Sequence, residues 1–170
     1  FHQNTKLKKL PKDLRNKHWS KRKRIYFKSY PRLDEIILPK PNLSPTISLK
    51  DTLLKNTFSK VFSKTPLSTT QLSTLLFYSA GLKDSQSSSK TRFYPSVGTR
   101  YPLEIYVLLL NTKLPKGLYH YYLKNHSLEK LLIFGRFNTK TYFNQKRISN
   151  SACIIIFTSV FERITTPFGD

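Results

Sequence analysis

Two short apolar runs set the terms on which this chain can fold. Residues 103–110 read Leu-Glu-Ile-Tyr-Val-Leu-Leu-Leu and residues 152–160 read Ala-Cys-Ile-Ile-Ile-Phe-Thr-Ser-Val. Neither approaches the roughly 20 apolar residues that cross a bilayer, and both have the length of a strand. A run so continuously apolar needs cover on both faces, so each is expected as a central strand of a sheet.

The cover has to come from helices, and the sequence offers some. Ser68-Thr69-Thr70-Gln71 fits a capping box, in which the Ser hydroxyl and the Gln side chain satisfy amides of the first turn. Leu72, Leu75, Leu76 and Ser79/Ala80 then recur at helical spacing, and Gly81 stands where a left-handed C-terminal cap is expected. A shorter helix is predicted over 49–55, capped by Ser48, with Leu49, Leu53 and Leu54 on one face. Residues 117–123 and 127–133 flank the turn-rich Lys124-Asn125-His126 and predict a hairpin, and residues 137–148 are a helix candidate.

The first 45 residues differ from the rest. Pro11, Pro31, Pro39, Pro41 and Pro45 punctuate them, leaving only 5–19 for a helix broken at Pro11. Trp19, Ile25, Tyr26, Phe27 and Tyr30 give this segment enough apolar surface to dock on a core. The expected division is therefore a basic arm, 1–45, and a folded portion, 46–170. The chain of 170 residues starts at Phe1, contains no Met and stops at Phe168-Gly169-Asp170 directly after a β-rich segment, so a piece of a longer protein is expected.

The formal charge of +21 raises the question of nucleic acid. The excess is spread, with net +13 over residues 1–64 and +8 over 65–170, and it is densest at Lys21-Arg22-Lys23-Arg24. Lys supplies 21 of the 30 cations, mostly singly among Asn, Ser, Thr and Tyr, a compositional habit rather than a binding stripe. A nucleic-acid module is thus the disfavoured alternative. One Cys excludes an internal disulfide scaffold and, with no secretory segment in the sequence, points to a reducing cytoplasm.

The most specific text lies between the polar loop at 83–90 and the first apolar run. Arg92-Phe93-Tyr94-Pro95-Ser96-Val97-Gly98-Thr99-Arg100-Tyr101-Pro102-Leu103-Glu104-Ile105-Tyr106-Val107 resembles the R-x-x-P-S-A-G-x-x-Y-P-L-E-x-Y-V signature of the SagB-type dehydrogenases. These are the thiazole/oxazole-forming branch of the FMN-dependent nitroreductase superfamily. Val97 stands where Ala is usual. Phe1-His2-Gln3-Asn4-Thr5-Lys6 resembles the family's opening, and Tyr30-Pro31 with Ile37-Leu38-Pro39-Lys40-Pro41 its extended lead-in. Gly117-Leu118-Tyr119-His120-Tyr121 is similar to its "GLYxY" hairpin, and Ser159-Val160-Phe161-Glu162-Arg163 to a strand end. The resemblance covers essentially the whole chain but only the N-terminal part of the family domain.

The resemblance implies an α+β fold, a nitroreductase-like mixed sheet flanked by helices and incomplete at its C-terminus. It implies a homodimer with FMN at the interface and oxidation of azoline rings to azoles in a modified peptide, with a cyclodehydratase as partner. Within the superfamily, a generic nitro or quinone flavin reductase is the rival, and a truncated, inactive relative is another; this piece alone is expected to be inactive. Cofactor-binding residues carried over are Pro95, Ser96, Val97 and Gly98 at the isoalloxazine and Lys60 at the phosphate. The family's R-R-S-x-R-x-F/Y run corresponds, counting back from Phe62, to Asn56-Thr57-Phe58-Ser59-Lys60-Val61-Phe62. Asn56 and Thr57 replace an Arg pair whose bidentate grip on phosphate they do not reproduce. The Lys-Tyr pair that abstracts the ring proton in related enzymes has no match, so the catalytic residue stays unknown.

Other chemistry is thinner. His2, His18, His120 and His126 lack metal-ligand spacing and read as surface or hairpin residues, so no metal is expected. Cys153, between Ala152 and three Ile, reads as a buried apolar residue. Glu104 and Tyr106 read as structural members of their strand.

Overall fold

The computed structural model describes residues 26–42, 48–55, 61–83 and 91–164, the side chain of Lys146 excepted. The helix expected within 5–19, the basic run at 21–24, residues 56–60 and the C-terminal Phe168-Gly169-Asp170 lie outside the described residues.

Five strands form one sheet in the order β1-β4-β3-β2-β5: β1 Glu35–Ile37, β2 Leu103–Leu109, β3 Gly117–Tyr122, β4 Ser127–Ile133 and β5 Cys153–Ser159. The α+β class expected from the resemblance is what the chain adopts. The sheet expected as mixed is antiparallel in each of its described pairings, and one isolated parallel bridge, Leu67 to Thr112, lies outside it. Short connections explain the antiparallel order, since the turn at 123–126 reverses the chain directly from β3 into β4. β1 lies within the stretch expected to be irregular. At three residues, two of them exposed, it carries no pattern a reader of the sequence could use.

Alternation along β2 divides the sheet into two chemically distinct faces. Ile105, Val107 and Leu109 join Tyr119, Tyr121 and Leu128 in a core closed by α2, residues Thr69–Ala80, through Leu72, Leu76 and Ala80. Glu104 and Tyr106 project from the opposite face. The expected capping box is present: Ser68 Oγ accepts from Gln71 N at 3.2 Å and Ser68 N donates to Gln71 Oε1 at 3.0 Å.

Several expectations are corrected. Gly81 is extended (φ −64°, ψ 173°), not left-handed. It is needed for close approach, because a Cβ there would lie 2.5 Å from the Phe77 carbonyl oxygen and 2.9 Å from its ring. The run at 152–160 forms β5 as expected but, among the described residues, pairs only with β2 and so lies at the sheet edge. The helix candidate at 137–148 shrinks to α3, Thr139–Tyr142, capped by Asn138 and ended by extended Phe143, followed by a 3-10 turn over Lys146–Asn150. Two Thr and two Asn in this stretch favour caps and turns over a helix interior. The predicted short helix is α1, Leu49–Leu54, with Ser48 capping Asp51, yet Leu49, Leu53 and Leu54 are all exposed.

Candidate functional site

The segment entering β2 is built around one turn. Pro95 leads into Ser96, and residues Val97–Thr99 make a single 3-10 turn with Gly98 at φ 59°. Thr99 (φ 53°) and Tyr101 (φ 46°) are also left-handed, a conformation that L side chains disfavour, so the surroundings must hold it. They do so at Tyr101 from both sides of the peptide. Its N–H donates to Ser96 Oγ at 2.9 Å, and its carbonyl accepts from Arg163 Nη1 at 2.8 Å. Pro95, Ser96, Val97 and Gly98 are therefore contiguous on one turn, where Val97 is 80% exposed and Gly98 also faces solvent. Lys60 lies outside the described residues.

Arg92 ties this turn to the rest of the fold. Its buried guanidinium donates from Nη1 to Tyr94 Oη (2.9 Å) and the Leu103 carbonyl (3.1 Å), and from Nη2 to the Tyr26 carbonyl (2.9 Å). The group also sits 5.1 Å from the Tyr101 ring centroid. Tyr26 belongs to the lead-in, and Phe27 beside it packs on the core, so this part of the expected arm does dock. Nε of Arg92 and Nε of Arg100 are buried with no hydrogen-bond partner among the described residues.

Behind the turn lies a buried polar cluster that the sequence did not advertise. His120, read there as a surface or hairpin residue, is fully buried on β3. Its Nδ1 is 2.7 Å from Glu129 Oε2 and its Nε2 is 3.1 Å from Glu104 Oε2. The second oxygen of Glu104 lies 2.5 Å from Arg163 Nη2, a close ion pair rather than an aligned hydrogen bond. Glu129 Oε1 accepts the backbone N–H of Tyr30 at 2.7 Å. Burial pushes the Glu104 carboxyl upward, but the His120 hydrogen bond and the Arg163 charge outweigh it, and the net position is below the usual carboxylate range. A clue was available: a Glu inside an apolar strand must find a buried partner.

On the same face, Lys28 Nζ donates to Tyr106 Oη at 2.7 Å, and the Tyr30 and Tyr106 hydroxyls are 3.0 Å apart. Hydrogen bonding to Tyr106 raises the Lys28 ammonium above its ordinary value, while burial raises the Tyr106 phenol.

His126, in the hairpin turn as expected, is part of a second network. Its Nε2 is 2.7 Å from Ser73 Oγ and its Nδ1 2.8 Å from Tyr121 Oη. Ser73 donates to the Pro39 carbonyl at 2.5 Å, so its oxygen accepts from Nε2–H, and Nδ1 is left to accept from the tyrosine. Burial holds the His126 imidazole below its ordinary value, in keeping with a neutral ring. Cys153 is half-buried and burial raises its thiol, as suits an inert side chain. No group of three His, Cys, Asp or Glu is arranged to hold a metal among the described residues. Among them, too, no helix is long and apolar enough to cross a membrane.

No protein-family model matches the chain. Over 127 residues, 73% of its length, it is 30% identical to a candidate nitroreductase of Methanocaldococcus jannaschii, and the match spans 63% of that protein. Its structure resembles that of a candidate nitroreductase from Anabaena variabilis with a TM-score of 0.67 at 28% identity, covering 98% of this chain and 32% of the other. A second, from Ralstonia eutropha, gives 0.60 at 27% identity over 76% of this chain and 58% of its own. The chain has a nitroreductase-like fold and spans less than two thirds of the length of each of these relatives.

Proposed function

We propose that this chain is part of an FMN-dependent oxidoreductase of the nitroreductase type and, within that group, a SagB-type dehydrogenase that oxidises azoline rings to azoles in a modified peptide. The observation that carries the reading is the run from Arg92 to Val107. Apart from Val97 its residues resemble the dehydrogenase signature, and they fold as an exposed turn at Val97–Thr99 that leads into buried β2 and is flanked by the buried Arg92 and Glu104.

The residues present fit a flavin. Gly98 in the left-handed region offers backbone that a flat ring can approach, and Arg100 brings a cation whose buried Nε lacks a partner. Ser96 Oγ already accepts from Tyr101 N–H, so its hydroxyl proton is free to donate outward. Pro95, Ser96, Val97 and Gly98 would hold the ring, and Lys60 with the excess positive charge would favour the phosphate. FMN, when bound, supplies two-electron redox chemistry. The chain's own part is to fix the turn, orient the Ser96 proton and keep the Arg100 charge at hand. A homodimer with the cofactor between subunits, a cytoplasmic setting and a cyclodehydratase partner complete the proposal.

The test is direct. The natural full chain, purified and incubated with FMN, should retain flavin absorbance and convert an azoline-containing peptide to a product lighter by two hydrogens per ring. Absence of bound flavin overturns the cofactor assignment. The names of the three relatives favour the second reading, and reduction of a nitroarene or quinone with no azoline oxidation would establish it.

A further inference from the structure

We infer that the buried chain Glu129, His120, Glu104 and Arg163 is a positioning device for the Ser96–Tyr101 turn, with His120 donating from both ring nitrogens to hold two carboxylates at once. Its functional meaning rests on the proposal that this turn faces flavin; its existence does not.

The donor count carries the inference. A neutral imidazole has one donor and one acceptor, and an acceptor nitrogen facing a carboxylate oxygen is repelled by it. Both His120 nitrogens lie at hydrogen-bond distance from carboxylate oxygens, 2.7 and 3.1 Å, so with both carboxylates ionised both nitrogens donate. The four side chains then carry two positive and two negative charges, which is what allows them to be buried together. Among the described residues, Tyr106 from β2 and Tyr30 from the lead-in pack on the ring, with Lys28 behind them on the Tyr106 hydroxyl.

The chain also reaches from one end of the site to the other. At one end Glu129 holds the Tyr30 N–H, and at the other Arg163 holds the Tyr101 carbonyl while Ser96 holds the Tyr101 N–H. Tyr101 is left-handed at φ 46°. Released from Arg163, it would relax toward extended backbone and withdraw its N–H from Ser96. The direction of the Ser96 hydroxyl thus depends on charges spread over β2, β3 and β4. An apolar set of equal volume would fill the same space without that dependence.

The experiment uses the natural full chain uniformly labelled with nitrogen-15, so that the histidine ring and the backbone amide signals are both read. His120→Gln would leave two facing carboxylates and endanger folding, so the variants sit at the ends: Glu129→Gln and Arg163→Gln, with Arg163→Lys as the conservative rescue. In the wild type, nuclear magnetic resonance should show both His120 ring nitrogens protonated at about pH 7, where free carboxylates are ionised. Both Gln variants should move the Ser96 and Tyr101 amide signals and weaken FMN by about tenfold, the factor one charge-assisted hydrogen bond supplies, with Arg163→Lys recovering part of it. A singly protonated His120 ring, or Ser96 and Tyr101 signals unmoved in Glu129→Gln, overturns the inference. Wild-type protein that binds no FMN overturns the flavin proposal instead, and the resonance signals still decide the chain.

Discussion

Two histidines on one hairpin, six residues apart, are used in opposite ways. His120 lies between two carboxylates and His126 between two hydroxyls. The first holds charges together deep in the polar face of the sheet. The second, with its proton order set by Ser73 and Pro39, is a neutral link joining the hairpin turn to α2 and the lead-in. The lesson is that a histidine's role follows from what its neighbours can donate, not from its position in a motif. The first network leads by hydrogen bonds and ion pairs toward the candidate site, whereas the second meets its flank through the Phe77 ring, which lies against both His126 and Phe93.

Substitutions should separate the two. The largest effect is expected from His120→Leu, which strands two buried carboxylates opposite each other. It should cost about 3–5 kcal/mol in chemical denaturation, as removing one member of a buried ion pair does. A loss below about 1 kcal/mol would mean that the carboxylates are not held by the ring. His126→Asn comes next. Asn tolerates the φ of 50° found at this position, so the change isolates the ring's hydrogen bonds, and about 1–2 kcal/mol should be lost.

A reference outside both networks is Ser68→Ala, which removes half of the capping box on α2 and should cost about 1 kcal/mol. If it costs more than His126→Asn, the second network is packing rather than bonding.

The smallest effect is in pH, and it divides the networks by sign and window. His126 titrates lower when folded, so its contribution is complete above the ordinary value of 6.5 and is lost as pH falls through the lowered folded value. Glu104 is also lowered, but from 4.5, so its contribution persists until the medium is acidic enough to reach the carboxylate range. Unfolding midpoints measured across pH should show a shallow decline starting near 6.5 that His126→Asn removes, and a steeper one below about 4.5 that it leaves untouched. A first decline that survives in the variant would assign it to another group.

What could be read from the sequence follows the same division between local and distant causes. The capping box spans Ser68 to Gln71 and its partners are fixed by helix geometry, so it was legible, as were β2 and the hairpin. The Pro95–Gly98 turn was legible by its resemblance. Glu104, His120 and Glu129 meet only because β2, β3 and β4 pair in one register. That register includes an irregularity at Leu118/Tyr119, after which Tyr119, His120 and Tyr121 are all buried in succession. His120 read as a surface or hairpin residue because the four histidines lack metal-ligand spacing, and that spacing carries no information on the cross-strand carboxylates that bury it. The exposed leucines of α1 were legible as a face but not as an uncovered one.

The turn between Arg92 and Glu104 is, finally, not portable. Thr99 and Tyr101 are non-glycine residues in the left-handed region, each costing about 1–3 kcal/mol against ordinary backbone. A peptide of this sequence, or a loop graft carrying it onto another scaffold, would take cheaper conformations. Its shape is leased from Arg163, which follows β5, and from the Tyr26 carbonyl in the lead-in. Any design that borrows the signature must bring those distant contributors with it, and any search that scores the signature alone will count sequences that share its letters without sharing its shape.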